Sequence, residues 1–407
     1  MSDAPPPTPQ STPQTTFTVY AGPPLETIRQ IVASQFQIKD GFLDPYGVPT
    51  MVVAVEPAKE KFKAILQQLN SHRLIAAIRE SGDTLTIKVF QKPHLRPSRR
   101  IINLILFIAT VATVSIAGYF LWTGGLGGSQ SLQAGYNAII YPLGANPYFK
   151  AASFAIGLLA IIGLHEFGHK ATAVHHKMDA TLPYFIPGPP PIGTFGALIS
   201  LRGPPANRDQ LFDLGLSGPV VGFIVTIIVA TLSMLLGPNL SQTQISSLNT
   251  WNTTCSAQYG QSCLTSIDWS AWPSQPALLI LISFLGGIVN PGAAIDQQLF
   301  FAAEIGALLT FLNIVPAWQL DGGHISRAVF GPSGHRVASM IGIILLLVVG
   351  YIPFAILVLV MMGLSGRGFA GVEPLDDVSP VSNSRKILYL LGIAMLVLTF
   401  GRTFASF

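Results

Sequence analysis

The amino-acid sequence predicts a mainly α-helical, polytopic membrane protein of about six to seven membrane segments, with a small α+β soluble domain at its N-terminus. Only 10% of the 407 residues are Asp, Glu, Lys or Arg, whereas a soluble protein carries roughly 25%. Residues 1–100 hold 20 of the 42 charged residues, and long apolar stretches fill the remainder. This distribution excludes a soluble enzyme, a disordered chain and a disulfide-rich secreted module.

The N-terminal hundred residues divide into a tail and a small domain. Residues 1–16 are rich in Pro, Ser, Thr and Gln, which is typical of a disordered tail rather than of a signal peptide. Residues 17–95 are expected to form the soluble α+β domain, with a binding or regulatory role. Its predicted elements are a helix at 25–36, a strand at 48–55, a helix from Pro57 to about 69, and a hairpin of 75–79 and 84–90.

The rest of the chain is dominated by apolar segments. Residues 101–122 contain no charge and are long enough to cross a hydrocarbon core. We expect 96–149 to hold the first transmembrane helix and an external loop, 150–335 the membrane core, and 336–407 the C-terminal membrane segments. The further candidate segments are 151–172, 214–236, 276–292, 299–320, 337–364 and 387–404. Segment 276–292 is expected to be re-entrant or to lie at the outer surface, and Pro353 makes 337–364 a kinked span or a tight hairpin.

Charged residues in the loops predict how these segments are oriented. Arg99 and Arg100 precede the first span, so the N-terminal domain is expected to be cytoplasmic by the positive-inside rule. Residues 170–213 carry several Lys and Arg and are expected on the same side. Residues 238–275 carry one charge and are expected to be external. The net charge of +4 includes no dense basic patch that would indicate nucleic-acid binding.

The predicted external loop contains both cysteines of the chain, Cys255 and Cys263. It also contains two N-x-Ser/Thr sequons, at 239–241 and 252–254. An oxidising compartment on that side would favour a disulfide between the two cysteines. Two free buried thiols are the alternative.

A metal-binding motif lies inside one of the apolar segments. Residues 165–169 read His-Glu-Phe-Gly-His, so His165 and His169 are four residues apart and lie on one face of a helix. Two imidazoles in that arrangement can bind one zinc ion, and Glu166 beside them can take a proton from the attacking water. Ionisable groups inside a membrane segment are costly and usually functional. Two interfacial histidines without a metal are the alternative interpretation.

A catalytic zinc site needs a third protein ligand and one open position. His175 follows His169 at the spacing of soluble metzincins, but Thr172 replaces the glycine that turns the chain in those enzymes. On a continuing helix, His175 points about 240° away from His169. Asp321, which closes another apolar segment, is the favoured ligand, although an Asp-Gly turn without a metal is an alternative reading.

In the motif that contains His165 and His169 and in the one that contains Asp321, the chain resembles the site-2 protease family of intramembrane zinc metalloproteases, the M50 type. Residues 165–169 match the first motif of that family, and Asn313 to Gly323 match its second, N-x-x-P-x-x-x-L-D-G. The small-residue run from Gly215 to Gly222 resembles the core helix of the family. The likeness is strongest to the chloroplast and archaeal or cyanobacterial branch, whose members have an extra N-terminal domain.

The resemblance implies a role for each matching residue. His165, His169 and Asp321 would bind one zinc ion per chain. Glu166 would be the general base and then the proton donor to the leaving amine, and Asn313 would position the scissile carbonyl or stabilise its oxyanion. The stretch 181–201 resembles the family segment that presents an edge strand to an unwound substrate.

These features lead to a zinc-dependent intramembrane endopeptidase acting on transmembrane protein substrates within the lipid bilayer. A catalytically inactive relative that binds or chaperones membrane clients is the alternative, and a zinc transporter is a third possibility. Glu304 is expected to line the cavity or face the outer interface. His324 is expected near the metal site or at the cytoplasmic surface, His335 is expected to be interfacial, and the pair at 376–377 is expected to be solvated.

Overall fold

The structure is a computed structural model, and it describes most of the chain. The described residues are 22–92, 100–124, 135, 137–142, 144–259, 275–289, 294–366 and 368–401. By its internal contacts the chain divides into two units. One comprises the residues up to 94 together with Leu375–Ser379, and the other comprises the remainder.

The first unit is an α+β domain with one antiparallel sheet. Its helices are α1 (Leu25–Ala33) and α2 (Lys59–Ser71), and its sheet has the order β1-β2-β4-β3. The strands are β1 (Ile38–Leu43), β2 (Pro49–Val53), β3 (Leu74–Ser81) and β4 (Thr84–Gln91). The predicted hairpin is present, with β3 and β4 paired from Leu74–Gln91 to Ser81–Thr84. Alternating residues of both strands are buried against the two helices.

Two features of this domain differ from the prediction. Strand β1 was not predicted because it is an edge strand with a mostly exposed burial pattern and no clear hydrophobic alternation. Helix α2 begins at Lys59 rather than at Pro57. Pro57 therefore precedes the helix instead of occupying its first turn.

A short segment from late in the chain completes this domain. The N–H of Ile78 in β3 donates a hydrogen bond of 2.9 Å to the Leu375 carbonyl, and Leu375 and Val378 pack against the domain core. Asp376 is buried, and its carboxylate accepts hydrogen bonds from the N–H groups of Val378 and Ser379. The acidic pair at 376–377 was predicted to be solvated, and for Asp376 this is wrong.

The second unit is built from apolar helices. Among the described residues, five helices are long and apolar enough to cross a bilayer: α3 (Arg100–Thr123), α4 (Pro147–His175), α5 (Arg208–Leu235), α8 (Gln297–Ile314) and α9 (Asp321–Val349). The other helices are α6 (Gln242–Tyr259), α7 (Ala277–Val289), α10 (Ile352–Leu364) and α11 (Asn383–Thr399). The protein is thus a multi-pass membrane protein. Helix α7 has 13 residues, which rise only about 20 Å, less than a hydrocarbon core roughly 30 Å thick.

Helices α4, α5 and α8 pack closely because glycines lie at their contacts. A Cβ atom on Gly168 of α4 would stand 2.7 Å from the Ser217 carbonyl oxygen of α5. A Cβ atom on Gly157 would meet Leu299 of α8 at 3.1 Å. Small residues at such contacts let helix backbones approach closely within a membrane. This three-helix core and the start of α9 hold the side chains described in the next subsection.

Two helix boundaries differ from the predicted segments. The segment predicted at 299–320 ends as a helix at Ile314, and Asp321 begins α9 instead of closing α8. The segment predicted at 337–364 is divided at Gly350, which has a φ of 104° and forms the left-handed cap of α9. Pro353 then lies in the first turn of α10, where a missing N–H costs little. Helix α9 is also kinked at Gly331, whose φ is 70°, next to Pro332.

A two-stranded antiparallel sheet follows α4. It consists of β5 (Tyr184–Pro187) and β6 (Thr194–Leu198). The side-chain amide of Asn103 in α3 donates to the carbonyls of Leu182 and Pro183, and the Thr113 hydroxyl donates to the Gly193 carbonyl. Helix α3 therefore fixes the start of β5 and the turn that leads into β6.

Candidate metal centre

The two histidines of α4 and the aspartate that begins α9 lie together. The Nε2 atoms of His165 and His169 are 3.2 Å apart. One carboxylate oxygen of Asp321 lies 3.3 Å from His165 Nε2, and the other lies 3.3 Å from His169 Nε2. The two ring nitrogens and the Asp321 carboxylate, which comes from a second helix, thus form a triangle of groups whose closest separations are 3.2–3.3 Å.

The dimensions of this triangle suit a zinc ion. Zinc binds imidazole nitrogen and carboxylate oxygen at about 2.0–2.2 Å and prefers tetrahedral geometry, so neighbouring ligand atoms around it stand about 3.3–3.5 Å apart. The three observed separations of 3.2–3.3 Å are close to that value. His165, Glu166 and His169 also offer ligand atoms within 4.8 Å of one another, all buried. The donor set is the nitrogen and oxygen combination that catalytic zinc sites use.

Neighbouring backbone and side-chain groups orient these residues. The Nδ1–H of His169 donates a hydrogen bond of 2.8 Å to the Leu214 carbonyl of α5, which leaves Nε2 free to bind a metal. The carboxylate of Glu166 accepts a hydrogen bond from the backbone N–H of Ile199, just after β6. The side-chain amide nitrogen of Asn313 lies 3.4 Å from His165 Nε2.

The sequence of α5 explains how α4 can present its histidines so close to a neighbouring helix. A Cβ atom on Gly218 would clash with the imidazole ring of His169, because three ring atoms lie within 2.5 Å of it. A Cβ atom on Gly222, one turn further along, would stand 2.9 Å from His165 Nδ1. Glycine at both positions thus leaves the space that the two rings occupy.

A cavity of about 270 Å³ opens onto the candidate ligands. His165, Glu166, His169 and Asp321 line it on one side. Ala197 and Leu198 of β6 together with Ile199 line another, and Asn313 and His324 complete the polar wall. The volume is enough for several water molecules, each of which takes about 30 Å³ in the liquid. The cavity can therefore hold the water that a hydrolytic reaction requires.

The remaining histidines singled out in the sequence lie in different surroundings. His175 is exposed near the end of α4 and borders a separate pocket with His176 and Asp213. His324 lines the candidate metal cavity, and its Nδ1 atom is buried without a hydrogen-bond partner among the described residues. His335 was predicted to be interfacial, but it is fully buried and lies 2.8 Å from the Ser326 hydroxyl.

Glu304, another candidate, lies away from the metal cavity. Glu304 is buried within α8, where it forms a hydrogen bond with Gln275, and it does not line the cavity. Cys263 and the side chain of Cys255 lie outside the described residues, so the predicted disulfide stays a prediction.

Sequence reasoning did not find the backbone groups of the site. The Leu214 carbonyl and the Ile199 N–H hold His169 and Glu166. Their role cannot be predicted from the amino-acid type, because almost every residue carries the same backbone groups. The run from Gly215 to Gly222 was a usable signal for the Leu214 carbonyl, since small residues indicate a helix that approaches its neighbour closely.

Comparisons with known proteins add an independent line of evidence. The model of peptidase family M50 matches residues 153–351, the range that contains both candidate ligand motifs. No solved structure matches the chain.

Among curated proteins, the chain is similar to the probable zinc metalloprotease EGY1, chloroplastic, of Oryza sativa subsp. japonica. The two are 25% identical over 261 residues, which cover 62% of this chain and 41% of the relative. The Arabidopsis thaliana protein of the same name is 26% identical over 62% of this chain and 43% of its own length. Similarity to the probable zinc metalloprotease EGY2, chloroplastic, of Oryza sativa subsp. indica is 28% over 46% of this chain and 31% of that protein.

These alignments leave much of each relative uncovered, since the chain spans less than half the length of the curated relatives it matches. The part that matches the family model includes most of α4, all of α5, α8 and α9, and the candidate ligands. The chain therefore contains a domain of peptidase family M50 at residues 153–351, and its buried His165, Glu166 and His169 can hold the zinc ion of such a peptidase.

Proposed function

We propose that the protein is a zinc-dependent intramembrane endopeptidase that hydrolyses peptide bonds in or near the transmembrane segments of membrane proteins. The observation that carries this proposal is the meeting of His165, His169, Asp321 and Glu166 at one cavity formed by helices long and apolar enough to span a bilayer. A site formed by helices that span a bilayer is open to substrates that already lie in the membrane, which supports membrane proteins as the substrate class.

The proposed ligands of the zinc ion are His165, His169 and Asp321. When bound, zinc would supply a Lewis acid that polarises the scissile carbonyl and favours attack by water. The hydrogen bond from His169 Nδ1 to the Leu214 carbonyl leaves Nε2 as the nitrogen that would bind the metal. Asp321 at the start of α9 adds a carboxylate ligand from a second helix, so the site depends on the packing of both helices.

Glu166 and Asn313 are the proposed catalytic residues. The Glu166 carboxylate lies among the ligand atoms and takes the proton of the attacking water, then delivers it to the leaving amine. The Ile199 N–H holds this carboxylate toward the cavity. Asn313, whose amide nitrogen lies 3.4 Å from His165 Nε2, donates a hydrogen bond to the carbonyl oxygen as negative charge develops on it.

Strand β6 is the proposed binding edge for the substrate backbone. A transmembrane helix hides its peptide bonds within its own hydrogen bonds, so the substrate must unwind before it reacts. Helix α3 is bonded to the start of β5 and to the turn before β6, whereas Ala197 and Leu198 at the other end of β6 line the catalytic cavity. An unwound segment added to the free edge of β6 would replace its lost hydrogen bonds.

The loop charges support an orientation for the whole protein. We propose that the N-terminal domain and the end of α4 that carries the metal ligands face the cytoplasm, with loop 238–275 external. The Lys and Arg residues between 170 and 213 favour this orientation. The proposed partners are single-span membrane proteins and the lipid bilayer, without nucleic acid.

The central test replaces Glu166 without disturbing the metal ligands. We expect the Glu166→Gln protein to keep zinc at one ion per chain, measured by metal analysis. Its cleavage of a transmembrane reporter in liposomes should fall at least about 100-fold, since a general base typically contributes 10²–10⁴ to the rate.

Glu304→Gln is the matched control, because it makes the same change at another buried glutamate of a membrane helix outside the cavity. It should cleave the reporter like the unmodified protein. Normal cleavage by Glu166→Gln would refute the proposed mechanism.

A further inference from the structure

A second cavity adjoins the catalytic one and extends deeper along the helices. Its volume is about 160 Å³. His165, Glu166 and Asn313 lie in its wall as well as in the wall of the catalytic cavity. The two spaces therefore meet at the groups that we assign to catalysis.

Away from these three residues, the second cavity is mostly apolar. Ile161 of α4, Leu309 and Leu312 of α8 and Phe354 of α10 contribute its larger side chains. Phe195, whose side chain is 72% exposed, lies at its β6 wall. Thr310 also lines the cavity, but its hydroxyl donates to the Gly306 carbonyl of its own helix. A charged group would therefore find few partners on these walls, and its burial there would be costly.

The size of the cavity limits what it can hold. An apolar protein cavity of about 150 Å³ accommodates one benzene molecule, so 160 Å³ fits a single leucine or phenylalanine side chain. Close helix packing restricts its depth, since a Cβ atom on Gly306 would stand 2.9 Å from Ile161. A tryptophan side chain exceeds this space unless the walls move.

We propose that this second cavity binds the apolar side chain, of leucine or phenylalanine size, of one of the two residues joined by the scissile bond. This inference rests on the proposed peptidase function and adds a substrate preference to it. A substrate side chain next to the scissile carbonyl lies within a few ångströms of the catalytic groups. Because those groups also line the second cavity, its apolar space is close enough to receive that side chain. The size of the Leu309 side chain limits which substrate side chain fits the second cavity.

The first part of the test uses a set of reporters that differ at one residue. Transmembrane reporters with Ala, Leu, Phe or Trp on either side of the mapped scissile bond are cleaved by the purified full-length protein in liposomes. Leu and Phe should exceed both Ala and Trp in kcat/KM by about 10-fold or more at one of the two positions, since one methylene in an apolar pocket is worth 10–200-fold. Equal kcat/KM values for the Ala, Leu, Phe and Trp reporters at both positions would overturn the proposal.

The second part changes the size of the pocket. Leu309→Trp should fill it and move the preference to Ala, while Leu309→Ala should enlarge it and admit Trp. Leu285→Trp, at a half-exposed position of α7, is the control and should keep the original preference. An exchange of preference between reporters separates a pocket from a general loss of structure, which would slow all reporters equally.

Each result decides between distinct conclusions. If the unmodified protein discriminates but both Leu309 variants keep its preference, the pocket assignment is wrong and the peptidase function stands. If Leu309→Trp fails to fold, the Leu309→Ala protein decides alone through its activity on the Trp reporter. If the unmodified protein cleaves no reporter, the proposed function fails, and the pocket with it.

Discussion

At the scale of single residues, the candidate metal centre combines a local pattern with a long-range contact. The i, i+4 spacing of His165 and His169 predicts that both imidazoles share a helix face, and the structure has their Nε2 atoms 3.2 Å apart. Asp321 is 152 residues beyond His169. It was predicted to be the third metal ligand from the family resemblance and from its position at the end of an apolar segment. No local rule predicts its 3.3 Å distances from both rings, because they result from how α9 packs on α5.

Zinc content tests the choice of the third ligand. Asp321→Asn should lose most of its zinc, because a neutral amide is a much weaker ligand than a carboxylate. His175→Ala should keep zinc, since His175 is exposed and borders a different pocket. Metal analysis of both purified proteins after dialysis against a weak chelator measures the difference. Retained zinc in the first variant together with lost zinc in the second would reverse the assignment.

At the scale of helices, the metal site depends on close contact between α4 and α5. Gly218 and Gly222 face His169 and His165, and neither position has room for a side chain. The sequence predicted a small-residue helix here, from the run beginning at Gly215. It did not predict which glycine faces which histidine, because the rotation of one helix against another is set by contacts along their whole length.

A single methyl group on α5 should therefore disturb the site. We expect Gly218→Ala to lower zinc occupancy and cleavage by about 10-fold or more, and to lower stability by about 1–3 kcal/mol through overpacking. Gly287→Ala is the control, because a Cβ atom on Gly287 of α7 would meet nothing within 4 Å. Metal analysis and thermal unfolding in detergent report both effects. A Gly218→Ala protein with full zinc and unchanged activity would contradict this packing.

Helix ends were harder to predict than helix positions. Pro353 was expected to divide segment 337–364, but the division lies three residues earlier at Gly350, whose left-handed backbone suits glycine. The kink at Gly331 next to Pro332 was not predicted. The Trp318 N–H donates a hydrogen bond to the Ser339 hydroxyl across this kink, which ties the loop before Asp321 to the second half of α9. Such tertiary hydrogen bonds have no counterpart in local sequence pattern.

At the scale of the whole molecule, charge distribution predicted the class of protein. Few residues after residue 100 are charged because helices that face lipid exclude charged side chains. In agreement, five described helices are long and apolar enough to span a bilayer. The sequence also predicted the small N-terminal α+β domain. It did not predict that Leu375–Ser379 is part of that domain, because five polar and apolar residues beside an edge strand carry no recognisable signature.

Cysteine labelling tests the proposed orientation. In a protein whose two native cysteines are replaced by serine, Lys177→Cys after α4 and Gln242→Cys at the start of α6 both lie at exposed positions. A membrane-impermeant maleimide added to intact cells should label Gln242→Cys at once and Lys177→Cys only after the membrane is permeabilised. The reverse pattern would place the metal-bearing end of α4 outside.

The cleavage site within a substrate tests the central claim most directly. A single-span reporter is reconstituted in liposomes with the purified zinc-loaded protein, and its products are identified by mass spectrometry. We predict new termini inside the membrane span, nearer its cytoplasmic end, with none formed by Glu166→Gln. Termini found only outside the span, or the same termini with Glu166→Gln, would contradict the claim that the helix-borne zinc site hydrolyses peptide bonds within the membrane.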